Sequence, residues 1–126
     1  MPEFTVSTDE HTQAIDVTDE VAAALPDDAS GTCTVFVEHT TAGVVVQEAE
    51  SRLLTDIERA VEGLVPDDGW RHDEIDDNAD SHLRALLVGE HVSVPVVDGE
   101  LDLGTWQSVV FVECDGPRRR TVRVLT

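Results

Sequence analysis

The chain has 126 residues, 40% of them hydrophobic, which is enough to bury one core; we expect a single domain over residues 1–126. Its 27 acidic and 8 basic residues give a net charge of −19, which argues against nucleic acid or an anionic membrane surface as a partner. No apolar run reaches the roughly 18 residues of a membrane span, and no signal peptide is visible, so we expect a cytoplasmic protein.

The excess of acid calls for an explanation of its own. All eight basic residues are arginine, and few residues are aromatic. High acidity can accompany disorder, but the regular Val-rich strand patterns argue against disorder here. In molar salt the Debye length shrinks to about 3 Å, and repulsion among carboxylates is screened. We therefore interpret the acidity as adaptation to concentrated salt, and expect the source to be a halophilic archaeon.

The first part of the chain is predicted to form two short strands and a helix. Alternating apolar residues indicate strands over residues 4–7 and 13–17. Thr18 is a suitable N-cap for a helix over residues 19–25, which Pro26 ends. Cys33 and Cys114 lie in apolar runs far apart in the sequence, so we expect two buried free thiols rather than a disulfide.

A compact polar corner follows the next predicted strand, residues 32–38. It consists of His39-Thr-Thr-Ala-Gly43 and leads directly into an apolar strand over residues 44–46. Two interpretations are open: a turn whose Thr hydroxyls bond their own backbone, or a contact to an anion or substrate. Ser51 is then expected to cap a helix over residues 52–62, whose apolar stripe indicates packing and no chemistry.

An acidic loop over residues 67–77 contains Trp70 and His72 and leads into another helix. Asn78 is a good N-cap and Gly89 a good C-terminal stop for this helix. The 3.6-residue period predicts that one stripe of its side chains faces inward: Ala79, His82, Leu83, Leu86 and Leu87. A histidine on such a stripe is more often a core residue than a ligand.

Strand signals dominate the last third of the chain. A strand over residues 91–97 meets Asp98-Gly99, a strong hairpin signal, and returns over residues 101–103. Strands over 108–114 and from the arginines at 118–120 to residue 125 complete the series. Many strands with two or three helices predict an α+β fold built on antiparallel sheet.

Four polar segments lie at the ends of predicted elements, in this order: His39-Thr-Thr-Ala-Gly43, Asn78-Ala-Asp-Ser-His82-Leu83, Leu103-Gly-Thr-Trp-Gln107 and Glu113-Cys-Asp-Gly-Pro-Arg118. In their order and spacing they resemble the signatures of the secondary thiamine-phosphate synthase family (YjbQ-like), and the match runs from Phe36 onward. Two departures are mild. The family often has Asn-Glu where this chain has Gln47-Glu48, and Tyr where it has Trp70.

The resemblance implies a sandwich-like pseudo-barrel of antiparallel sheet with helices outside, assembled as a homotrimer. It also implies a weak thiamine-phosphate synthase activity, in which hydroxymethylpyrimidine diphosphate joins a thiazole phosphate and pyrophosphate is released. The substrate would be a small phosphorylated heteroaromatic compound, and no organic cofactor is implied.

Release of pyrophosphate requires cations and hydrogen-bond donors aimed at phosphate oxygens. A divalent metal ion, zinc or magnesium, is one supplier, and His39, His72 and His82 are the matching ligands, which only the fold could bring together. Glu113 or Asp115 is a candidate carboxylate ligand or acid–base group. The metal, if present, would leave one coordination position open for substrate.

Arg118 is the other candidate, because its guanidinium offers a fork to phosphate; the alternative is that it pairs with a neighbouring acid. Trp106 could stack on a flat ring, although a core or subunit-interface role is about equally expected. The remaining candidates for substrate binding are Thr40, Thr41, Gly43, Asn78 and Gln107. Surface positions are expected for His11 and His91, which match no signature. Pairing with surface acids, rather than contact with substrate, is expected for Arg119, Arg120 and Arg123.

Two other functions stay open on sequence grounds. The chain could form a trimeric module that binds a small phosphorylated ligand without turnover, or a metal-assisted phosphoester hydrolase. A buried cluster of the three histidines would favour an enzyme. A pocket that holds Arg118 and no metal set would favour binding alone.

Overall fold

The computed structural model describes residues 2–126. Its elements follow one another in this order: β1 (Glu3–Ser7), β2 (Gln13–Asp16), α1 (Thr18–Ala23), β3 (Gly31–Val37), β4 (Ala42–Gln47), α2 (Ser51–Gly63), a 3-10 helix (Arg71–Glu74), α3 (Ala79–Val88), β5 (His91–Val97), β6 (Glu100–Leu101), β7 (Ser108–Glu113) and β8 (Arg119–Leu125). None of the helices formed within 2–126 is long and apolar enough to cross a membrane.

The strands form two antiparallel sheets. One has the order β1-β8-β3-β5-β6 and the other the order β2-β7-β4. Side chains alternate along β7, so Val109 and Phe111 face the larger core between the sheets. Val110 and Val112 face the opposite way and pack against α2 and α3. The predicted α+β fold, with antiparallel sheet inside and helices outside, is confirmed.

The predicted hairpin between β5 and β6 is present. Asp98 and Gly99 both have positive φ, 50° and 78°, as tight two-residue turns require. A Cβ atom at Gly99 would lie 2.3 Å from the carbonyl oxygen of Asp27, so the turn also packs closely on the loop after α1. Glycine is needed at this position for both reasons.

Two predicted helix caps are wrong. Helix α2 begins at Ser51, and the carboxylate of Glu50 caps it by accepting hydrogen bonds from the amides of Arg52 and Leu53. Thr18 is the first residue of α1, and its hydroxyl accepts the amide of Val109 instead of capping the helix. Glu50 therefore has the capping role that we predicted for Ser51, and the Thr18 hydroxyl bonds to β7 rather than to its own helix.

Helix α3 has the predicted ends, but its predicted inward stripe is only partly buried: Ala79 is buried, and His82 and Leu83 are half-buried. Leu86 and Leu87 are 73% and 57% exposed, whereas Asp80, Ser81 and Arg84 are buried. Arg84 can be buried because its guanidinium donates hydrogen bonds to four acceptors: Asp80 Oδ2, Asp67 Oδ1 at 2.7 Å, and the carbonyl oxygens of Glu62 at 2.9 Å and Val65 at 3.0 Å. The predicted inward positions of Leu86 and Leu87 are therefore wrong.

The N-terminus of α3 is also capped from a distance. Asn78 occupies the N-cap position, but its side chain makes no capping hydrogen bond. The carboxylate of Asp73 accepts the amide of Ala79 at 3.1 Å and so satisfies one of the free amides of the first turn.

Both cysteines are buried and unpaired, as predicted. Burial, with a contribution from the neighbouring Glu113 carboxylate, raises the pKa of the Cys114 thiol to about 12. This thiol is therefore protonated and unreactive at neutral pH.

Candidate functional site

Three of the four signature segments meet at one end of the three-stranded sheet. Ala42 at the start of β4 pairs with Glu113 at the end of β7. The amide of Cys114 donates to the carbonyl oxygen of Thr41 at 3.0 Å. Helix α3 joins them there, because Ser81 Oγ donates to the carbonyl oxygen of Cys114 at 2.6 Å.

The Leu103–Gln107 segment lies at the other end of the same sheet. It precedes Ser108, which pairs with Gln47 at the far end of β4. The six residues of β7 separate the two ends by about 20 Å of extended chain. Gln107 Oε1 accepts the amide of Gly104 at 2.8 Å and closes a local turn, and Trp106 is 73% exposed. One copy of the chain therefore does not bring Trp106 or Gln107 to the other signature residues.

Glu113 lies at the centre of a buried polar network. It is fully buried and accepts hydrogen bonds from Thr8 Oγ1 at 3.0 Å, Arg120 Nε at 2.8 Å, Arg120 Nη2 and the amide of Asp115 at 3.0 Å. Burial alone would raise the pKa of Glu113, but these hydrogen bonds, with Arg120 foremost, hold it below its usual value. The carboxylate is ionised, and its oxygens are engaged within the protein.

Arg120 is the partner that the sequence analysis missed. We expected it to pair with a surface acid, as Arg123 does with Glu38 at 3.2 Å, but it is only 5% exposed and pairs with buried Glu113. It also donates to Thr41 Oγ1 at 2.9 Å. The signal was present in the sequence, because position 120 shares the inward face of β8 with Val122.

His39 projects from the corner between β3 and β4. Its Nε2 accepts the backbone amide of Thr121 at 2.8 Å. Burial lowers the pKa of His39, and the nearby Arg120 guanidinium lowers it further. His39 is therefore a neutral imidazole with its proton on Nδ1, an assignment that follows from the hydrogen bond at Nε2.

His72 and His82 lie against each other. Their ring centroids are 5.0 Å apart and the planes are nearly perpendicular, at 88°. His72 Nε2 is buried without a hydrogen-bond partner, and it lies 3.7 Å from Asp76 Oδ2. His72 belongs to the 3-10 helix and His82 to α3, so the acidic loop and α3 bring the pair together.

The predicted metal centre is not formed by these side chains. Across residues 2–126 no group of three or more His, Cys, Asp or Glu side chains is placed to hold a metal ion. His39 Nε2 is occupied by the Thr121 amide, and His72 meets His82 edge to face. The three histidines as placed do not form the three-imidazole centre, so no chemical step below is derived through a metal ion.

Two cavities adjoin His82. The larger, of about 660 Å³, is lined by His39, Thr40 and His82 together with apolar residues such as Phe36 and Leu86. The smaller, of about 420 Å³, is lined by residues that include Trp70, His72 and His82. Both volumes lie in the range of small-molecule sites.

Gly43 lies where β4 approaches the end of α3 closely. A Cβ atom there would lie 2.4 Å from the carbonyl oxygen of Gly89, and the amide of Val44 donates to that oxygen at 2.9 Å. The glycine thus lets β4 pack against the end of α3, which forms one side of the larger cavity.

Asp115 lies at the centre of a second polar cluster. Its Oδ2 accepts from Asn78 Nδ2 and from Arg118 Nη2, each at 3.2 Å. His11 Nε2 lies 3.6 Å from Oδ1, so this histidine, which is 55% exposed, reaches a signature residue as well. Arg118 pairs with a neighbouring acid, which is the alternative that the sequence left open. His11 carried no signal in the sequence, because only the fold places its loop beside Asp115.

The fold and the site together define an α+β domain in which two antiparallel sheets and three helices hold histidines around a cavity. A model of the family described as UPF0047 protein YjbQ-like matches residues 2–126, and the chain belongs to this family. A UPF0047 protein of Methanothermobacter thermautotrophicus is 47% identical over 125 residues, which is 97% of this chain and 87% of that protein.

Solved structures agree with this assignment. The crystal structure of a protein from Aeropyrum pernix is 45% identical, with a TM-score of 0.92, over 98% of this chain and 94% of that chain. A protein from Thermus thermophilus is 34% identical, with a TM-score of 0.89, over 100% of both chains. The helices and the two antiparallel sheets described above are therefore shared with experimental structures of relatives.

Proposed function

We propose that the chain is an enzyme of thiamine-phosphate synthase type, which joins hydroxymethylpyrimidine diphosphate to a thiazole phosphate. The observation that carries the proposal is the cavity of about 660 Å³ on which the signature residues His39, Thr40 and His82 converge. Its walls are mostly apolar with a few polar groups, as suits a flat heteroaromatic ring. The family resemblance supplies the identity of the reaction.

The reaction breaks the bond between the pyrimidine methylene carbon and a diphosphate oxygen. Pyrophosphate leaves with the electron pair, and the thiazole nitrogen forms the new bond to carbon. Charge on the departing oxygens must be met by donors that are already in position. His82 lines both cavities and is our candidate for that donor, acting on diphosphate oxygens that lie outside the larger cavity.

The test is a pyrophosphate-release assay with both substrates, run with and without added Mg²⁺ or Zn²⁺. Wild-type protein should release pyrophosphate only when the thiazole phosphate is present. His82→Asn should lower the rate by about 100-fold, the scale of losing one transition-state donor. His91→Asn is the matched control, because this exposed histidine lies outside both cavities. Release that does not depend on the thiazole phosphate would contradict the proposal.

A binding module without turnover is the second candidate. It is favoured by the absence, within residues 2–126, of a side-chain group placed to hold a metal ion, but not by Arg118, which is held by Asp115 and does not line the larger cavity. Titration calorimetry that gives tight binding of thiamine phosphate, with no pyrophosphate release in the assay above, would support this function. The phosphoester hydrolase gains no comparable support, because the three histidines as placed do not form a metal centre.

We also propose that the chain forms a homotrimer in the cytoplasm. Large apolar side chains on its surface are available for burial between copies: Leu64, Ile75, Leu86, Leu87, Val97 and Trp106. The two free cysteines are consistent with a reducing compartment.

A further inference from the structure

The charge of the larger cavity restricts which part of a ligand it receives. Two carboxylate residues, Glu38 and Glu90, line it, whereas no arginine does, and the chain contains no lysine. Glu38 is offset by its ion pair with Arg123 at 3.2 Å, so the repulsion of a phosphate group placed there comes chiefly from Glu90. The cavity therefore suits an uncharged ring, and the phosphate end of a ligand belongs outside it.

His39 offers that ring one kind of contact. Its Nε2 lone pair is occupied by the amide of Thr121 at 2.8 Å. A neutral imidazole has one proton and one lone pair, so the proton is on Nδ1. Nδ1 makes no hydrogen bond to any residue of 2–126, and it is not among the buried atoms of that range that lack a partner. Its N–H is therefore accessible to a ligand in the cavity.

We infer that His39 is a neutral hydrogen-bond donor, acting through Nδ1–H on an uncharged acceptor of a flat heteroaromatic ring, and is neither a metal ligand nor a general base. Either of the other two roles needs a lone pair on Nδ1. Moving the proton to Nε2 would direct N–H of the ring at the N–H of Thr121, leaving two donors face to face. The fold thus selects one tautomer and one role. Only the identity of the ring rests on the proposed function.

The tautomer is measurable without any ligand. Long-range ¹H–¹⁵N spectra of the ¹⁵N-labelled protein at neutral pH, with His39 assigned by loss of its signals in His39→Gln, should show a protonated Nδ1 and an unprotonated Nε2. Added Zn²⁺ should leave the His39 signals unchanged. The opposite tautomer, or a Zn²⁺-induced shift at His39, would overturn the inference whatever the protein binds.

Three substitutions separate the two sides of the ring. Asn places its amide near the position of Nδ1 and cannot reach Thr121, whereas Gln reaches the position of Nε2 and still accepts the Thr121 amide. With 4-amino-5-hydroxymethyl-2-methylpyrimidine as the titrated probe, His39→Ala should bind at least tenfold more weakly than wild type. His39→Asn should recover most of that loss and His39→Gln should not. Thermal melting should show the reverse order, with His39→Gln more stable than His39→Asn.

Equal binding by the Asn and Gln variants, or better binding by Gln, would overturn the inference. If wild-type protein does not bind the pyrimidine at all, the proposed substrate class fails, and the spectra still decide the role of His39. Inorganic pyrophosphate is the control titrant, and its affinity should be the same for wild type and the three variants, because the cavity is not the phosphate subsite.

Discussion

Single residues set the limits of what the sequence could predict about the site. The alternation of β8 was sufficient to place Arg120 on the inward face with Val122. Its hydrogen bonds to Glu113 and Thr41 were not predictable, because only the fold brings the ends of β7 and β8 and the corner before β4 together. Signature motifs identify residues that belong near a site, but they do not separate a residue that touches a ligand from one that holds the scaffold.

The buried pair of Glu113 and Arg120 carries a prediction about stability. Glu113→Gln leaves a buried guanidinium without its counter-charge and should lower the free energy of unfolding by about 3–5 kcal/mol. Glu100→Gln, at an exposed position of β6, should change it by less than about 0.5 kcal/mol. Urea denaturation measures both. A Glu113→Gln protein as stable as wild type would show that the pair contributes nothing.

The same ion pair predicts how the free energy of unfolding changes at acidic pH. The folded pKa of Glu113 lies below its ordinary value of 4.5, so its contribution is complete above that pH and is lost as the pH falls through the lower folded value. The difference in unfolding free energy between wild type and Glu113→Gln should therefore shrink on acidification below about 4.5. A constant difference down to the acid transition would contradict this assignment.

At the scale of elements, the sequence predicted type and position better than orientation. Gly89 and the Asp98-Gly99 turn mark real ends of α3 and of β5, because both need backbone conformations that glycine adopts readily. The orientation of α3 was predicted incorrectly at Leu86 and Leu87, since hydrophobic periodicity assumes that charge faces water. Arg84 violates that assumption, because acceptors from α3 itself and from the loop after α2 hold its guanidinium.

Arg84 should therefore hold the loop after α2 against α3. Arg84→Met leaves Asp80 without its partner in a mostly buried position, and we expect a loss of about 3–5 kcal/mol in unfolding free energy. Arg59→Met, at an exposed position of α2, is the control. Limited proteolysis should cut within residues 64–70 faster in Arg84→Met than in wild type or the control. Equal cleavage rates would show that the loop is held by other contacts.

At the scale of the whole molecule, the exposed apolar side chains predict self-association. Leu86 and Trp106 are each 73% exposed and lie on α3 and in the turn before β7. For the trimer proposed above, light scattering coupled to size exclusion in molar KCl should give three times the chain mass of 13.7 kDa. Leu86→Glu should shift the mass toward the monomer, whereas Thr55→Glu, at an exposed position of α2, should not. A monomeric wild type would contradict the trimer.

The net charge of −19 predicts how the whole molecule responds to salt. At low ionic strength, repulsion among surface carboxylates acts over about 30 Å and favours the expanded chain; at 1 M the Debye length is about 3 Å and neighbouring charges are largely screened. The buried pairs Glu113–Arg120 and Arg84–Asp80 are shielded from the ions and should not weaken in proportion. We therefore expect the melting temperature to rise steadily from dilute buffer to molar KCl. Sucrose at matched viscosity controls for general exclusion effects, and NaCl should act as KCl does. A melting temperature that is flat or falls with added KCl would remove the argument that the acidity is an adaptation to salt.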